Sequence, residues 1–454
     1  MSGIAGLWNR DGRPIDRTVL SSMIATLRHR GFDGEGQRAA GSIGFAHRHF
    51  WVTPEDNGEA QPLGNPAGIM LAMDGRLDNR DELLPALDLS PDVSDAMCAL
   101  AAYYAWKERF AERLNGDFAI AVFDAPEQRL VLVRDAIGVR PLYYFDVDRL
   151  FAFASEIKAL LAHPDIEARP DDEGLADYML VSARPVDRPE ITCFEGISAL
   201  VPGSLAIVTR ERTVTRRYWD FDTGRSLRLR SAGEYVEAFR ERFQEAVRRR
   251  IRSGRPVAIS VSGGLDSSSI FCQAEVLRRR GQTMCPEIAG LSYYGDEGSD
   301  ADERAFLPDL ERQYDVQIER IAIEPLLGLV KGVEKQVAAI EAPFVNHTWG
   351  VTEMLHHRAR ERGARVLLYG TWGDQVLFSS SYLIDLFHRL QWGTIRRHLR
   401  QYREFLGEPG TRVLARRFAI ELARHHVPRP LARPLKRLRL RMFPVGRPKR
   451  WFSD

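Results

Sequence analysis

The first half of the chain alternates short apolar runs with turn-forming residues. Each run is long enough only for a strand, and Gly, Pro, Asn and Asp separate the runs. Two stretches, 17–30 and 96–106, instead repeat apolar residues at helical spacing. This pattern predicts stacked antiparallel sheets with helices outside them. The predicted strands are 3–8, 41–47, 69–73, 116–123, 129–133, 142–145 and 150–154.

The second half, from about residue 219, alternates apolar strands with amphipathic helices. A strongly charged helix is predicted over 231–250, where aromatic and aliphatic residues recur every four positions from Tyr235 to Val247. Such alternation predicts a parallel sheet with helices on both faces, in which ligands bind at the carboxyl ends of the strands. The predicted strands are 257–261, 287–293, 317–323 and 365–369. One helix is predicted from the first strand's loop to about residue 280, and further helices are predicted over 302–314, 326–339 and 351–363.

The length of the chain predicts more than one domain. At 454 residues it exceeds what one ordinary core can organise. We expect two domains, 1–218 and 219–454, the second a doubly wound parallel α/β domain with a helical C-terminal extension. That extension, from Gln391 onward, is basic. Its charges are interpreted as solvated helix faces, and a surface for an acidic or phosphate-bearing partner is the alternative.

Composition and charge exclude several classes of protein. The chain is 44% hydrophobic and 28% charged, with a net charge of only +2, which does not by itself indicate nucleic-acid binding. No apolar run is long enough to span a bilayer, and the N-terminus has no signal-peptide pattern. The four cysteines are far apart and have no CxxC spacing, so we expect neither disulfides nor zinc, and a cytoplasmic protein.

One stretch combines the features of an anion-binding loop. A β-branched strand leads directly into Val261-Ser262-Gly263-Gly264-Leu265-Asp266-Ser267-Ser268, and helical spacing resumes after it. Free backbone N–H groups and the helix dipole meet at such a helix N-terminus and attract phosphate. Two glycines let the backbone approach phosphate oxygens, serine hydroxyls add donors, and Asp266 can hold a cation. A Ser/Gly-rich turn without a function is the alternative.

This loop is not a Walker loop, because no Gly-Lys-Ser/Thr follows the glycines. It resembles the pyrophosphate loop of ATP pyrophosphatases, Ser-Gly-Gly-x-Asp-Ser, which split ATP between the α and β phosphates. That resemblance implies that ATP binds over residues 261–268.

Four runs in the first half resemble the signature sequences of asparagine synthetases. They are 28–33, 115–119, 134–143 and 153–160, in that family's order and ahead of the Ser-Gly-Gly-Leu-Asp-Ser loop. The resemblance covers residues 2 to about 380. It implies that 1–218 is a class II glutamine amidotransferase-like domain of four αββα layers, and that the second domain binds ATP and Mg²⁺.

The chain departs from the family pattern in the glutamine site of the first half. Ser2 replaces the nucleophilic cysteine, and a serine needs an activating base, which the free α-amine could provide. Asp74 and Arg76 replace the Asn and Glu of the family's Asn-Gly-Glu, which removes an oxyanion donor and reverses a charge. His49 replaces a carboxylate-binding arginine, whereas Asp95, an ammonium partner, is retained. We therefore expect no glutaminase activity, a vestigial Ser2 and a scaffold role.

The resemblance also implies the nucleotide contacts of the second half. Asp374 matches the acid that, together with Asp266, holds Mg²⁺ on the pyrophosphate, and helix capping is its alternative role. Gly370 and Leu291, at two strand ends, match positions beside the nucleotide.

Other family acids of the second half are missing, so we expect altered acceptor chemistry. Thr371 and Gln375 stand in their places. Glu341 and His347 are candidate bases for an amine, and lining the pocket or capping a helix is the alternative role.

The expected reaction is ATP-dependent amide formation through an adenylated carboxylate. Family members with degraded glutaminase halves include β-lactam synthetases and lasso-peptide cyclases, and the run 74–80 is most similar to the cyclase branch. A precursor peptide and a leader-processing protein are then the expected partners. Two alternatives stay open: an asparagine synthetase that uses glutamine or ammonia, and a non-catalytic scaffold. The second domain, ending at Asp454, is expected to be shorter than in the family.

Overall fold

The computed structural model describes residues 1–65, 67–180, 188–295, 304–323, 333–343, 349–371, 373 and 382–426. The chain forms two compact units, Met1–Gly370 and a second that begins at Thr371. The predicted domain boundary near residue 218 lies within the first unit and remains a prediction.

The strands of the first half form two six-stranded antiparallel sheets. Numbered along the chain, they are β1 (Gly3–Asn9), β2 (Gly34–Ala40), β3 (Ile43–His49), β4 (Leu63–Gly64), β5 (Ile69–Leu77), β6 (Gly116–Asp124), β7 (Arg129–Arg134), β8 (Tyr143–Val147), β9 (Leu150–Ala154), β10 (Ile197–Ala199), β11 (Ser204–Val208) and β12 (Thr213–Arg217). The first sheet has the order β10-β8-β9-β1-β3-β2, and the second has the order β12-β11-β7-β6-β5-β4.

Helices cover the outer faces of these two sheets. They are α1 (Arg17–Ala25), α2 (Arg80–Ala86), α3 (Asp95–Trp106) and α4 (Ile157–Leu160), and α5 (Asp172–Leu180) follows them in the chain. Leu20 of α1 and Leu160 of α4 are buried against the first sheet, and Tyr103 of α3 is buried against the second. Phe45 and Phe153 fill the space between the sheets. The predicted αββα arrangement is therefore confirmed.

The second half contains a parallel sheet with helices on both faces, as predicted. Its elements are α6 (Ala232–Arg250), β13 (Val257–Ser260), α7 (Leu265–Arg279), β14 (Ile288–Tyr294), α8 (Leu307–Tyr314), β15 (Glu319–Ala322), α9 (Val333–Ile340), α10 (Trp349–Glu361) and β16 (Val366–Leu368). The strand order is β15-β14-β13-β16, with every neighbouring pair parallel. Phe271 of α7 packs on one face, and Leu355 of α10 packs on the other.

The second unit is helical over its described residues, with α11 (Tyr382–His388) and α12 (Trp392–His426). In the described part of the chain, no helix is long and apolar enough to cross a membrane.

Several elements of the first half differ from the pattern-based expectation, and the short β4 and the helices α2, α4 and α5 are not predicted. Helix α1 ends at Ala25 rather than at residue 30, because a series of tight three-residue turns follows it up to Arg30. Strand β2 is not predicted, because 34–40 lacks alternating apolar residues, and it forms by pairing along its whole length with β3.

Candidate functional site

The predicted phosphate loop joins β13 to α7 and is held open by its own serines. The Ser262 backbone N–H donates to Ser267 Oγ at 3.0 Å, and the two hydroxyl oxygens also lie 3.0 Å apart. The Gly264 N–H donates to Ser262 Oγ at 3.2 Å. These contacts fix the turn from within, so its curvature does not depend on a bound ligand.

Several polar groups of the loop remain available to an anion. Gly263 has φ +98°, a conformation that favours glycine and turns the backbone sharply into α7. Gly264 is the N-cap of α7 and supplies no side-chain cap, so the first N–H groups of the helix are free for an acceptor. Ser268 Oγ is buried and has no hydrogen-bond partner among the described residues. Asp266 lies in the first turn, partly exposed, while Leu265 is 82% exposed.

Gly370 brings the end of β16 into direct contact with this loop. A Cβ atom added to Gly370 would lie only 2.6 Å from the backbone nitrogen of Ser267. The strand order reverses at this place, since β14 and β15 lie on one side of β13 and β16 lies on the other. Such a reversal leaves a crevice at the carboxyl ends of the strands, where nucleotides bind in doubly wound folds. The loop and Gly370 lie at the place where this rule predicts the crevice.

Two hydrophobic residues predicted for the site have side chains in the core rather than at the surface. Val261 and Leu291 are both fully buried, and the Val261 N–H donates to the Leu291 carbonyl at 2.7 Å. The accessible side chain at this strand end is Tyr293, which is 38% exposed. Contact of this strand end, Leu291 to Tyr293, with the adenine of a nucleotide is implied by the family resemblance and remains a prediction.

Several predicted residues lie outside the described residues: Asp374, Gln375 and His347. Thr371 is described and exposed.

Glu341 is described, and its carboxylate accepts hydrogen bonds from the backbone N–H groups of Ile157 and Lys158 at 2.8 and 2.7 Å. Its side chain therefore anchors α4 of the first half, and this role accounts for both of its oxygens.

The first half places Ser2 beside a buried ion-pair network. Arg30 donates to the Ser2 carbonyl at 2.7 Å and to Asp74 Oδ2 at 2.8 Å. Arg30 also contacts Glu156 at 2.8 Å. Burial by itself would raise the pKa of Glu156, but hydrogen bonds and charges from neighbouring basic side chains outweigh it and lower this pKa to about 2. Asp74 is fully buried, so its negative charge depends on Arg30, with Arg140 at 3.6 Å.

A pair of histidines stands behind Ser2. His47 Nδ1 lies 2.6 Å from His49 Nδ1, and His47 Nε2 lies 2.9 Å from the Met73 carbonyl. Burial and the neighbouring imidazole lower the pKa of His47 to about 3, and burial also lowers that of His49. Both rings are therefore neutral at physiological pH, and His49 carries no charge with which to bind a carboxylate.

The pocket at Ser2 is small. Its volume is ≈ 20 Å³, which is room for about one water molecule. The carboxylate of Asp95 at its wall is already bound by Arg80 at 2.8 Å and by Arg252 at 2.7 Å. Burial raises the pKa of Glu59, also on the wall, to about 7.

Sequence patterns alone missed the arginines that neutralise these acids. Arg30 and Arg252 belong to charged stretches that look like solvated helix faces or loop ends. The acid at Asp74 implies that a cation lies near it, but only the fold shows that this cation is Arg30.

Family comparisons agree with the two halves of the chain. The family model of a glutamine amidotransferase domain matches residues 1–219, and that of asparagine synthase matches residues 238–444.

Curated relatives are similar to only part of their own length. Asparagine synthetase [glutamine-hydrolyzing] 3 of Bacillus subtilis is 32% identical over 262 residues, which is 56% of this chain and 42% of that protein. Asparagine synthetase [glutamine-hydrolyzing] 2 of the same organism is 29% identical, over 60% of this chain and 38% of that protein. Amidase chyE of Penicillium rubens is 29% identical over 78% of this chain and 54% of that protein. The chain thus spans about half or less of the length of these relatives.

Proposed function

Because the chain belongs to the asparagine synthetase family, we propose that it is an ATP-dependent carbon–nitrogen ligase that adenylates a carboxylate and couples it to an amine. One observation carries the proposal. The first N–H groups of α7 and the Ser268 hydroxyl are free at the point where the strand order reverses, and Gly370 packs against this loop. This is the arrangement that a pyrophosphate group requires.

The chemistry takes place in two steps. A substrate carboxylate oxygen attacks the α-phosphorus of ATP, the bond to the β-phosphate oxygen breaks, and pyrophosphate leaves. An amine then attacks the acyl carbon of the adenylate, AMP leaves, and the amine proton passes to a base. The loop N–H groups and the hydroxyls of Ser262, Ser267 and Ser268 stabilise the charge that develops on the leaving pyrophosphate.

The loop residues fit a magnesium ion on the pyrophosphate. Asp266 supplies a partly exposed carboxylate in the first turn of α7, and Mg²⁺ prefers such oxygen ligands while keeping several waters. Gly370, four residues before Asp374 in the sequence, contacts Ser267 of the same loop, and Asp374 as the second ligand rests on the family resemblance. When bound, the ion would neutralise charge on the leaving pyrophosphate.

We propose that this ligase does not use glutamine. The pocket at Ser2 has room for about one water molecule, and Arg252 already occupies the carboxylate of Asp95. The test is Ser2→Ala. Amide synthesis with a supplied amine should be unchanged, and glutamate release from glutamine should be absent in both proteins. A large loss in the variant would restore Ser2 as the nucleophile.

The finer proposal is intramolecular amide formation within a peptide, as in the lasso-peptide cyclases. The acceptor would be a peptide N-terminal amine, and the partners a precursor peptide and the protein that processes its leader. Its support is the loss of an internal ammonia source together with the sequence of 74–80. The four cysteines are free, as suits a reducing cytoplasm. A second candidate is ammonia-dependent conversion of aspartate to asparagine, which the names of the Bacillus relatives favour.

The decisive test is exchange of labelled pyrophosphate into ATP. Free aspartate and peptides with an N-terminal glycine and an internal Asp or Glu serve as probes. The wild type should catalyse exchange with one of these probes. Asp266→Asn should lose it by roughly a hundredfold or more, because the metal loses a charged ligand. Asp309→Asn, an exposed acid of α8, is the matched control. Equal exchange by wild type and Asp266→Asn would contradict adenylation at this loop.

A further inference from the structure

The C-terminal end of α6, in the second half, is bound by the altered residues of the first-half pocket. Arg76 donates to the carbonyl of Arg250 at 3.1 Å and also contacts the carbonyl of Arg249. These are the last two carbonyls of α6, at the negative end of its dipole, and the Arg249 carbonyl also accepts a hydrogen bond from the Arg252 N–H at 3.4 Å. A cation at this place stabilises the helix end, whereas the glutamate of the family pattern would repel it.

Arg252, from the second half, contacts Asp95 at the wall of the Ser2 pocket. Its Nη2 atom contacts Asp95 Oδ2 at 2.7 Å and Oδ1 at 3.0 Å, and it reaches the Leu77 carbonyl at 3.3 Å. Asp95 is only 3% exposed, so its charge must be matched inside the protein. The guanidinium of Arg252 therefore stands where a ligand ammonium would otherwise pair with Asp95.

Further ion pairs surround these two contacts. Arg250 Nε lies 2.9 Å from Asp78, and Arg250 also contacts Asp117. A backbone hydrogen bond joins the halves beside them, from Gly254 N–H to the Val52 carbonyl at 3.1 Å. On the rim, the pairs are Arg248 with Asp81 at 3.0 Å and Arg249 with Glu82 at 2.9 Å. Basic residues thus come from α6 and the turn after it, and acidic residues come from the first half.

We propose that the remodelled pocket of the first half is a docking surface for the C-terminal end of α6, in which Arg76 caps the helix and Arg252 takes the ammonium position on Asp95. Binding of the α6 end then explains both why Arg76 stands where the family has Glu and why Asp95 is retained. The pocket holds the two halves of the unit together, and it admits no amino acid while Arg252 remains. This inference does not depend on the ligase reaction.

The main test is hydrogen exchange measured by mass spectrometry. In Arg76→Met and Arg252→Met, amides of residues 249–254 should exchange roughly tenfold faster or more, because local opening of the docking surface costs less free energy. The matched control is Arg240→Met, an exposed arginine elsewhere on α6. Amides of α7, which is packed in the core, report whether each variant remains folded. Unchanged exchange over 249–254 with α7 protected would overturn the proposal.

Chemical rescue separates the Arg252 position from general destabilisation. Arg252→Ala leaves a gap of guanidinium size beside Asp95, so millimolar guanidinium should slow exchange over 249–254 in this variant and not in Arg76→Met. Sodium chloride at the same ionic strength is the control. Failure of guanidinium to protect Arg252→Ala would refute the assigned ammonium position. Neither outcome requires ATP, so pyrophosphate exchange tests the ligase proposal separately.

Discussion

Single residues decide whether the phosphate loop can exist. Gly370 has no space for a side chain, because a Cβ atom would lie 2.6 Å from the nitrogen and 2.9 Å from the Cα of Ser267. Both of these are backbone atoms, which cannot rotate away as a side chain can. The close approach of two strand ends thus explains a glycine that the sequence pattern predicts only by resemblance.

Gly370→Ala should therefore damage the loop. We expect a loss of about 1–3 kcal/mol in the free energy of unfolding from overpacking, and an ATP affinity at least about tenfold weaker. Urea denaturation and calorimetric titration of ATP measure the two effects. Gly233→Ala on the exposed start of α6 is the control, because the nearest atom to its added Cβ is 3.8 Å away. Identical behaviour of the two variants would mean that β16 does not pack against the loop.

A second prediction concerns pH and the pocket wall. Burial raises the pKa of Glu59 from 4.5 to about 7, so between these values the unfolded chain releases a proton that the folded protein keeps. Stability should fall as pH rises through this window. Glu59→Gln should remove the penalty and stabilise the protein by about 1–3 kcal/mol at pH 8, with little effect at pH 4. Urea denaturation at both pH values measures the difference, and an equal effect at both would contradict the assigned burial.

The acids and bases of the first half show what the sequence can and cannot predict at this scale. The sequence shows directly that Asp74 replaces the family Asn with a carboxylate. It does not show that this carboxylate pairs with Arg30 at 2.8 Å, which lies in a turn 44 positions earlier in the chain. Only tertiary contacts specify such pairs, because the sequence spacing between partners is unrelated to their distance.

At the scale of elements, strong patterns predicted the structure well and weak patterns did not. Strand 150–154 and helix 96–106 correspond to β9 and α3 within one residue, because their apolar periodicity is regular. Strand β2 has little hydrophobic signal and depends on pairing with β3. The strand, turn and helix at 257–279 are as predicted, because the three sequence signals follow one another without a gap, and phosphate binding by the turn remains a prediction.

Glu341 links two elements that are distant in sequence. Its carboxylate binds two backbone N–H groups at the start of α4, and Glu341→Ala would leave these groups without partners. We expect a loss of about 1–3 kcal/mol in the free energy of unfolding. Chemical denaturation measures it, with Glu334→Ala, on the exposed face of α9, as the control. A loss no larger than that of the control would show that α4 does not rely on this anchor.

At the scale of the whole molecule, the first half has the predicted layers, and Asp95 in its pocket pairs with an arginine of the second half. Its two sheets and outer helices match the αββα prediction, and the cores on both faces of each sheet are fully buried. Residue types at the pocket predict that glutaminase activity is absent, but they do not indicate that Arg252, which follows α6, pairs with Asp95. That information lies in the way the halves meet, which no local pattern contains.

The central claim is that the loop from Ser262 to Ser268 binds the phosphates of ATP with a metal ion on Asp266. Calorimetric titration of ATP in the presence of Mg²⁺ tests it without knowledge of the other substrates. The wild type and Asp309→Asn should bind with the same affinity, and Asp266→Asn should bind at least about tenfold more weakly, with the difference lost when Mg²⁺ is removed. Equal affinity of all three proteins for ATP in Mg²⁺ would contradict the account.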